Sequence, residues 1–148
     1  MILDERTEFA DATTIPTATG RSLLGDVYDL GIARNASSPP LPLYLVIQID
    51  TAVTSAGAAE VSFELVSDAQ AAIAVDGTAT QHYKSFAFPK ATLVAGFTIV
   101  VPLPGEQPAY ERFLGVISNV TTSVLTGGKA NAFLTHDPKQ WKALPDAI

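Results

Sequence analysis

The chain has 148 residues, 47% of them hydrophobic and only 16% charged, with a formal net charge of −6. That length fits one domain, able to bury about 70% of the surface its unfolded chain exposes. The acidic balance, with no Lys/Arg cluster, argues against a nucleic-acid partner. The lack of any cysteine removes disulfides, thiol catalysis and Cys-based zinc sites together.

In chain order, residues 1–14 set Asp4, Glu5, Glu8 and Asp11 around a single Arg6, with Ile2, Leu3, Phe9, Ala10 and Ala12 as the apolar positions. The spacing is neither helical nor strand-like. It reads as an N-terminal arm anchored by Phe9 or as a frayed terminus. Residues 22–31 predict a strand ending in a turn, and Ser37-Ser38-Pro39-Pro40 a loop of extended proline geometry. The clearest strand follows, with Leu43, Leu45, Ile47 and Ile49 on one face and Tyr44, Val46, Gln48 and Asp50 on the other. After a loop at 54–59, Val61, Phe63 and Leu65 alternate with Glu60, Ser62 and Glu64, the pattern of a sheet with one wet face. Residues 68–74 fit a helical turn or a loop, and Asp76-Gly77 marks a tight turn. Residues 92–103 predict a bent strand, with a bulge at Gly96 and its end at Pro102. Residues 110–120 then alternate, with Tyr110, Arg112, Leu114, Val116 and Val120 opposite Glu111, Phe113, Ile117 and Asn119, and a last strand ends near Thr135. Six to eight short strands between Gly/Pro turns make an all-β protein, a sandwich or a jelly roll.

Few residues point to chemistry. His82 and His136 are the only histidines, and neither has a metal-ligand spacing around it. Gly127-Gly128-Lys129 lacks the spacing of a phosphate loop and leads into a strand, so it reads as a turn needing positive φ. Glu60 and Glu64, about 13 Å apart by strand rise, are too distant to act on one glycosidic bond and read as a solvated face. Leu93–Leu103, the longest apolar segment, is too short to cross a bilayer. The first residues lack the basic-then-apolar pattern of a secretion signal. The expectation is synthesis in a cytoplasm and no membrane partner. Trp141, the only tryptophan, sits outside the strands between Lys139 and Lys142 and ahead of Leu144. This amphipathic tail packs on its own domain, on a sister subunit or on another protein.

Several segments carry a resemblance along the whole chain: Met1-Ile2-Leu3-Asp4 with Phe9-Ala10-Asp11-Ala12; Asp29-Leu30-Gly31; Ala56-Gly57-Ala58-Ala59 before Val61-Ser62-Phe63-Glu64-Leu65; Ala91-Thr92-Leu93-Val94-Ala95-Gly96; Tyr110-Glu111-Arg112-Phe113-Leu114; Thr126-Gly127-Gly128-Lys129-Ala130; and the ending Asp137 to Asp146 around Trp141. With these the chain resembles the small capsid cement, or decoration, proteins of tailed bacteriophages. The segment 82–90 and the loop at Gln107 match less clearly. The resemblance implies a jelly-roll fold without enzymatic activity or cofactor, bound to the outer surface of a capsid, bridging capsomers of a major capsid protein. It also implies a homo-oligomer, here expected as a dimer ahead of a trimer.

The expected organisation is an N-terminal arm at 1–14, a jelly-roll β domain at 15–136 and a C-terminal tail at 137–148. Ile2, Leu3, Phe9, Trp141, Lys142 and Leu144 are the candidate capsid or subunit contacts; no catalytic or metal-binding residue is expected. The competing reading is a virion receptor- or carbohydrate-binding jelly roll, for which Tyr83, His82 and Asp76 form the available cluster.

Overall fold

The computed structural model describes residues 5–33, 42–105 and 108–138. A 3-10 turn at Glu5–Thr7 leads into ten strands: β1 (Glu8–Thr14), β2 (Gly20–Leu23), β3 (Tyr28–Asp29), β4 (Tyr44–Thr54), β5 (Glu60–Asp68), β6 (Thr80–Lys84), β7 (Phe88–Pro89), β8 (Thr98–Pro102), β9 (Phe113–Thr121) and β10 (Gly127–Thr135). They form two antiparallel sheets. The first runs β1-β10-β4-β8; the second runs β2-β9-β5-β6, with β3 beside β9 and β7 beside β5. The protein is a β-sandwich, as the alternating strands predict.

Period-2 alternation builds the core. Leu45, Ile47 and Ile49 of β4 and Ala130, Ala132 and Leu134 of β10 face Val61, Phe63 and Leu65 of β5 and Leu114, Val116 and Val120 of β9. All are buried, and each large side chain among them contributes about 1.5–3 kcal/mol relative to exposure.

Four expectations shift. Residues 8–14 are not an arm. They form β1, paired along β10, and register shifts at two places put the adjacent Phe9 and Ala10 both into the core. The domain therefore begins at Glu8. The single strand expected at 22–31 is broken between β2 and β3. There Leu24 N–H donates to Val116 O and Asp26 N–H to Phe9 O, tying both sheets together along that edge. Only Thr98–Pro102 of the segment 92–103 is strand; the rest is a series of turns that seals Leu93 in the core. The outward side of β5 is not wet: Ser62, Glu64 and Val66 are buried. The loop after β5 folds across it and sets Ile73, Ala74 and Ala79 against Val66 and Ile117 in a second apolar cluster. Asp68 holds that loop, accepting from the N–H groups of Gln70 and Ala74.

The loops segregate by end. At one end the β1–β2, β4–β5, β7–β8 and β9–β10 connections interlock: Leu125 N–H donates to Thr17 O, Ser55 Oγ–H to Val124 O and Lys90 Nζ to Ser55 O. The opposite end carries the starts of β1 and β4, the end of β10 and the connection from β8 to β9.

Gly25 and Gly31 both adopt left-handed φ, +73° and +81°. A Cβ at Gly25 would run into the Phe9 carbonyl, whereas one at Gly31 meets open space. Gly25→Ala should cost about 2 kcal/mol or more in urea denaturation, and Gly31→Ala about 1 kcal/mol.

Candidate interaction surfaces

Of the residues expected to make contacts, Ile2, Leu3, Trp141, Lys142 and Leu144 lie outside the described residues. Phe9 is 1% exposed inside the sandwich, so its reading as an interface anchor is corrected: the bulged strand that hides its period also turns its ring inward. Gly128, with φ +140°, opens β10 where a Cβ would crowd Val53. The Gly127-Gly128-Lys129 segment is thus the first part of β10 and not the expected turn, and of that reading the positive φ holds, at Gly128.

The cluster proposed for glycan binding is not assembled on one surface. Tyr83 packs against the core, His82 stacks on Tyr110 at 3.9 Å between ring centroids, and Asp76 accepts from Thr78 N–H and Oγ–H. His82 Nε2 and Ser67 Oγ share a hydrogen bond of 2.7 Å, and Glu111 N–H donates to the same oxygen. A serine beside a histidine is half of a nucleophile–base pair. Here the serine is fully buried. Glu111 engages Thr80 Oγ–H instead of orienting the imidazole, and His82 Nδ1 is buried without a partner. The set straps β5, β6 and the approach to β9 together. Burial lowers the His82 pKa against an opposing pull from Glu111, and raises that of Tyr110 to about 12. Among the described residues no three His, Asp or Glu side chains stand close enough to hold a metal ion.

Glu64 overturns the solvated-face reading. Its side chain is 1% exposed; Arg21 Nη2 donates to Oε2 at 2.6 Å, and Lys84 Nζ lies 3.1 Å from Oε1. The lysine contact is an ion pair by distance without hydrogen-bond geometry, because Oε1 has no hydrogen-bonding partner. A Cβ at Gly77 of the covering loop would lie 3.2 Å from Arg21 Nη1. No period or motif marks this triad, since its members lie on three strands and its lid is an irregular loop.

Exposed apolar groups sit at defined places. Val94 and Val124 project from the interlocked end. Phe86, 86% exposed, is the sole aromatic among the large exposed apolar side chains of the described residues. It stands in a break between β6 and β7 that Ser85 makes rigid: Ser85 N–H donates to Phe63 O, Phe63 N–H to Ser85 Oγ and that hydroxyl to Phe86 O. The interruption of alternation at Ser85-Phe86-Ala87 is the sequence signal for this knob. On the opposite edge, an open groove of about 420 Å³ is lined by Glu8, Asp11, Asp26, Thr13 and the β1 backbone.

The chain belongs to the Bbp16 family, whose model matches residues 9–134. The family name is of phage type, in keeping with the phage part of the resemblance. No curated protein matches the chain.

Two outcomes follow from the buried polar groups. His82 has a folded pKa below its free value of 6.5, so stability should be full above pH 6.5 and fall as pH drops through the lowered value. Tyr110 has a folded pKa raised from 10.0, so stability should fall again as pH rises from 10 toward 12, with the raised Tyr83 adding to that limb. Urea denaturation across pH should show this plateau, with its acid limb flattened near pH 6 in His82→Phe. Arg21→Met, which leaves a buried carboxylate with one exposed lysine, should cost about 3 kcal/mol, and Arg21→Met/Glu64→Leu should recover most of it.

Proposed function

We propose that this member of the Bbp16 family is a non-enzymatic capsid cement protein. It binds the outer surface of a phage capsid as a small homo-oligomer, a dimer ahead of a trimer, and bridges adjacent capsomers of the major capsid protein. The observation that carries the reading is strand order. Numbered without the two-residue strands β3 and β7, the eight longer strands run 1-8-3-6 in one sheet and 2-7-4-5 in the other. We read this as the jelly roll that the resemblance to cement proteins implies. The phage-type family match over 9–134 supports the same assignment.

The physics of such a role is modest per copy. A shell repeats one site many times, so an oligomer touching two capsomers gains effective concentration without a large interface on either. Phe86 is the described group best suited as an anchor, being aromatic, exposed and rigidly held. Ile2 and Leu3, which precede β1 in the chain, are the second candidate contact. The acidic groove beside β1 suits a basic patch on the shell. The receptor- or carbohydrate-binding alternative loses support, because Tyr83 packs against the core and His82 stacks on Tyr110, which leaves Asp76 as the one exposed member of its cluster.

Purified shells, expanded and unexpanded, test the role. Saturable binding of the full chain to the expanded shell is expected, and Phe86→Ala should weaken it about tenfold or more. The same substitution should move stability by no more than about 0.5 kcal/mol, since the ring is in water in the free protein. Removing residues 1–4, which leaves β1 whole, should weaken binding further. A folded full-length chain that binds no shell would overturn the assignment.

A further inference from the structure

Two open sheets leave free strand edges, and most of those in this sandwich are blunted. Edge strand β1 is broken by two register shifts, carries Glu8 and Asp11, and has its Phe9 carbonyl taken by Asp26 N–H. Edge strand β2 is four residues long and carries Arg21; β6 carries Lys84 and pairs with β5 through a register shift. Strand β8, the other edge of the first sheet, has none of these devices. Thr98-Ile99-Val100-Val101-Pro102 is uncharged, β-branched up to its closing proline, and paired with β4 in unbroken register from Thr98↔Gln48 to Pro102↔Tyr44. Among the described residues no strand lies on its far side. The ladder fixes which main-chain groups that side offers. Just before and just after β8, Ile49 N–H donates to Phe97 O and Leu103 N–H to Leu43 O, so the odd-numbered residues turn their N–H and C=O toward β4. Thr98, Val100 and Pro102 therefore turn theirs outward. Pro102, with no N–H to give, falls on the side where an edge strand tolerates proline. Val100 is 44% exposed, and Ile99 and Val101 are half-buried on the inner face.

We propose that β8 pairs antiparallel with β8 of a second copy about a two-fold axis through Val100, so that the first sheets of both copies join into one. In that register each free N–H finds a carbonyl. Val100 N–H donates to the carbonyl of the partner's Val100 and receives the same in return, and Thr98 N–H donates to the carbonyl of the partner's Pro102. The proline, which lacks a donor, thus stands where it is asked only to accept. The side chains match as well. Val100 meets its own copy on the outer face, and Ile99 meets the partner's Val101 on the inner face, where both extend the core. The chain from Ala91 to Gly105 holds no charged residue, so self-pairing brings no like charges together. The edge is therefore complementary to itself in donors, acceptors and side chains, which selects a second copy as its occupant. A contact of this kind closes at two copies, and so favours the dimer over the trimer. This pairing rests on the homo-oligomer of the proposed function and gives it a surface.

Sedimentation velocity of the full-length chain in free solution, without shells, tests the pairing. Expected is a concentration-dependent equilibrium between monomer and dimer. Val100→Lys sets like charges face to face at the axis and should weaken dimerisation about tenfold or more. Val124→Lys, at the interlocked end, should leave it unchanged. The chain has no cysteine, so Val100→Cys carries a single thiol and keeps the contact apolar should Val100→Lys fail to fold. Mild oxidation should link it to its own copy, because residues opposed in a hydrogen-bonded pair have Cα atoms about 5.5 Å apart, within reach of a disulfide. Val124→Cys should stay unlinked. A monomer at every concentration, a trimer, or a dimer that ignores Val100→Lys and is not linked through Val100→Cys would overturn the pairing. A chain monomeric in solution that still binds shells overturns the pairing and leaves the cement role standing; a dimer joined at β8 that binds no shell does the reverse. A monomer whose shell binding is lost in Val100→Lys would give the edge to a strand of the shell, against a second copy.

Discussion

The central strands of both sheets are buried on both of their faces, and the rest of the molecule follows from that constraint. A two-layer sandwich supplies cover for only one side of each sheet. Strand β5 is buried along nearly its whole length, and β10 from Ala130 to Thr135. Each sheet therefore needs a roof of its own. For the second sheet the roof is the loop after β5, held by Asp68 and carrying Ile73 and Ala79 onto Val66 and Ile117. Under that roof Glu64 is cut off from water and has to find its cations within the fold, in Arg21 and Lys84.

The proposed role and the polar interior fit one physical picture. A protein that stabilises a shell is asked to be stiff, and the described surfaces are stiff for local reasons. Lys90 and Ser55 bind three loops together at one end. The Ser67–His82–Glu111 set joins β5 and β6 to the chain entering β9, and Arg112 grips Asp29 with two bonds, holding that carboxyl at about pKa 2. Phe86 stands on a backbone pinned by Ser85, so presenting it to a partner requires little further ordering.

Strands with clear alternation were legible in the sequence: β4 and β5 show runs of inward apolar side chains at every second position, β9 does so with Ser118 as its one polar interruption, and the core lies where those positions meet. Strand β1 was not legible, because a register shift puts Phe9 and Ala10 on the same side and so erases the period of two. The edge formed by β6 and β7 was hidden by the same kind of break at Phe86. Polarity misled at Glu64, since an outward glutamate on a strand is indistinguishable from a wet one until the lid above it is known. For the candidate contacts, the apolar character of Phe9 was correctly seen but its direction was not, because direction depends on the bulge.

The pairing of β1 with β10 joins residues more than a hundred positions apart in the chain, and β10 is also the strand that links β1 to β4 within the first sheet. During synthesis the first strand has no neighbour to bond until the last one is made. Until then Phe9 and the unpaired edge of β1 stay open to other nascent chains, and loop-closure entropy opposes their capture. Completion of the domain thus waits for β10, and slow, chaperone-sensitive maturation is the kinetic counterpart of a fold whose first and tenth strands are stitched side by side.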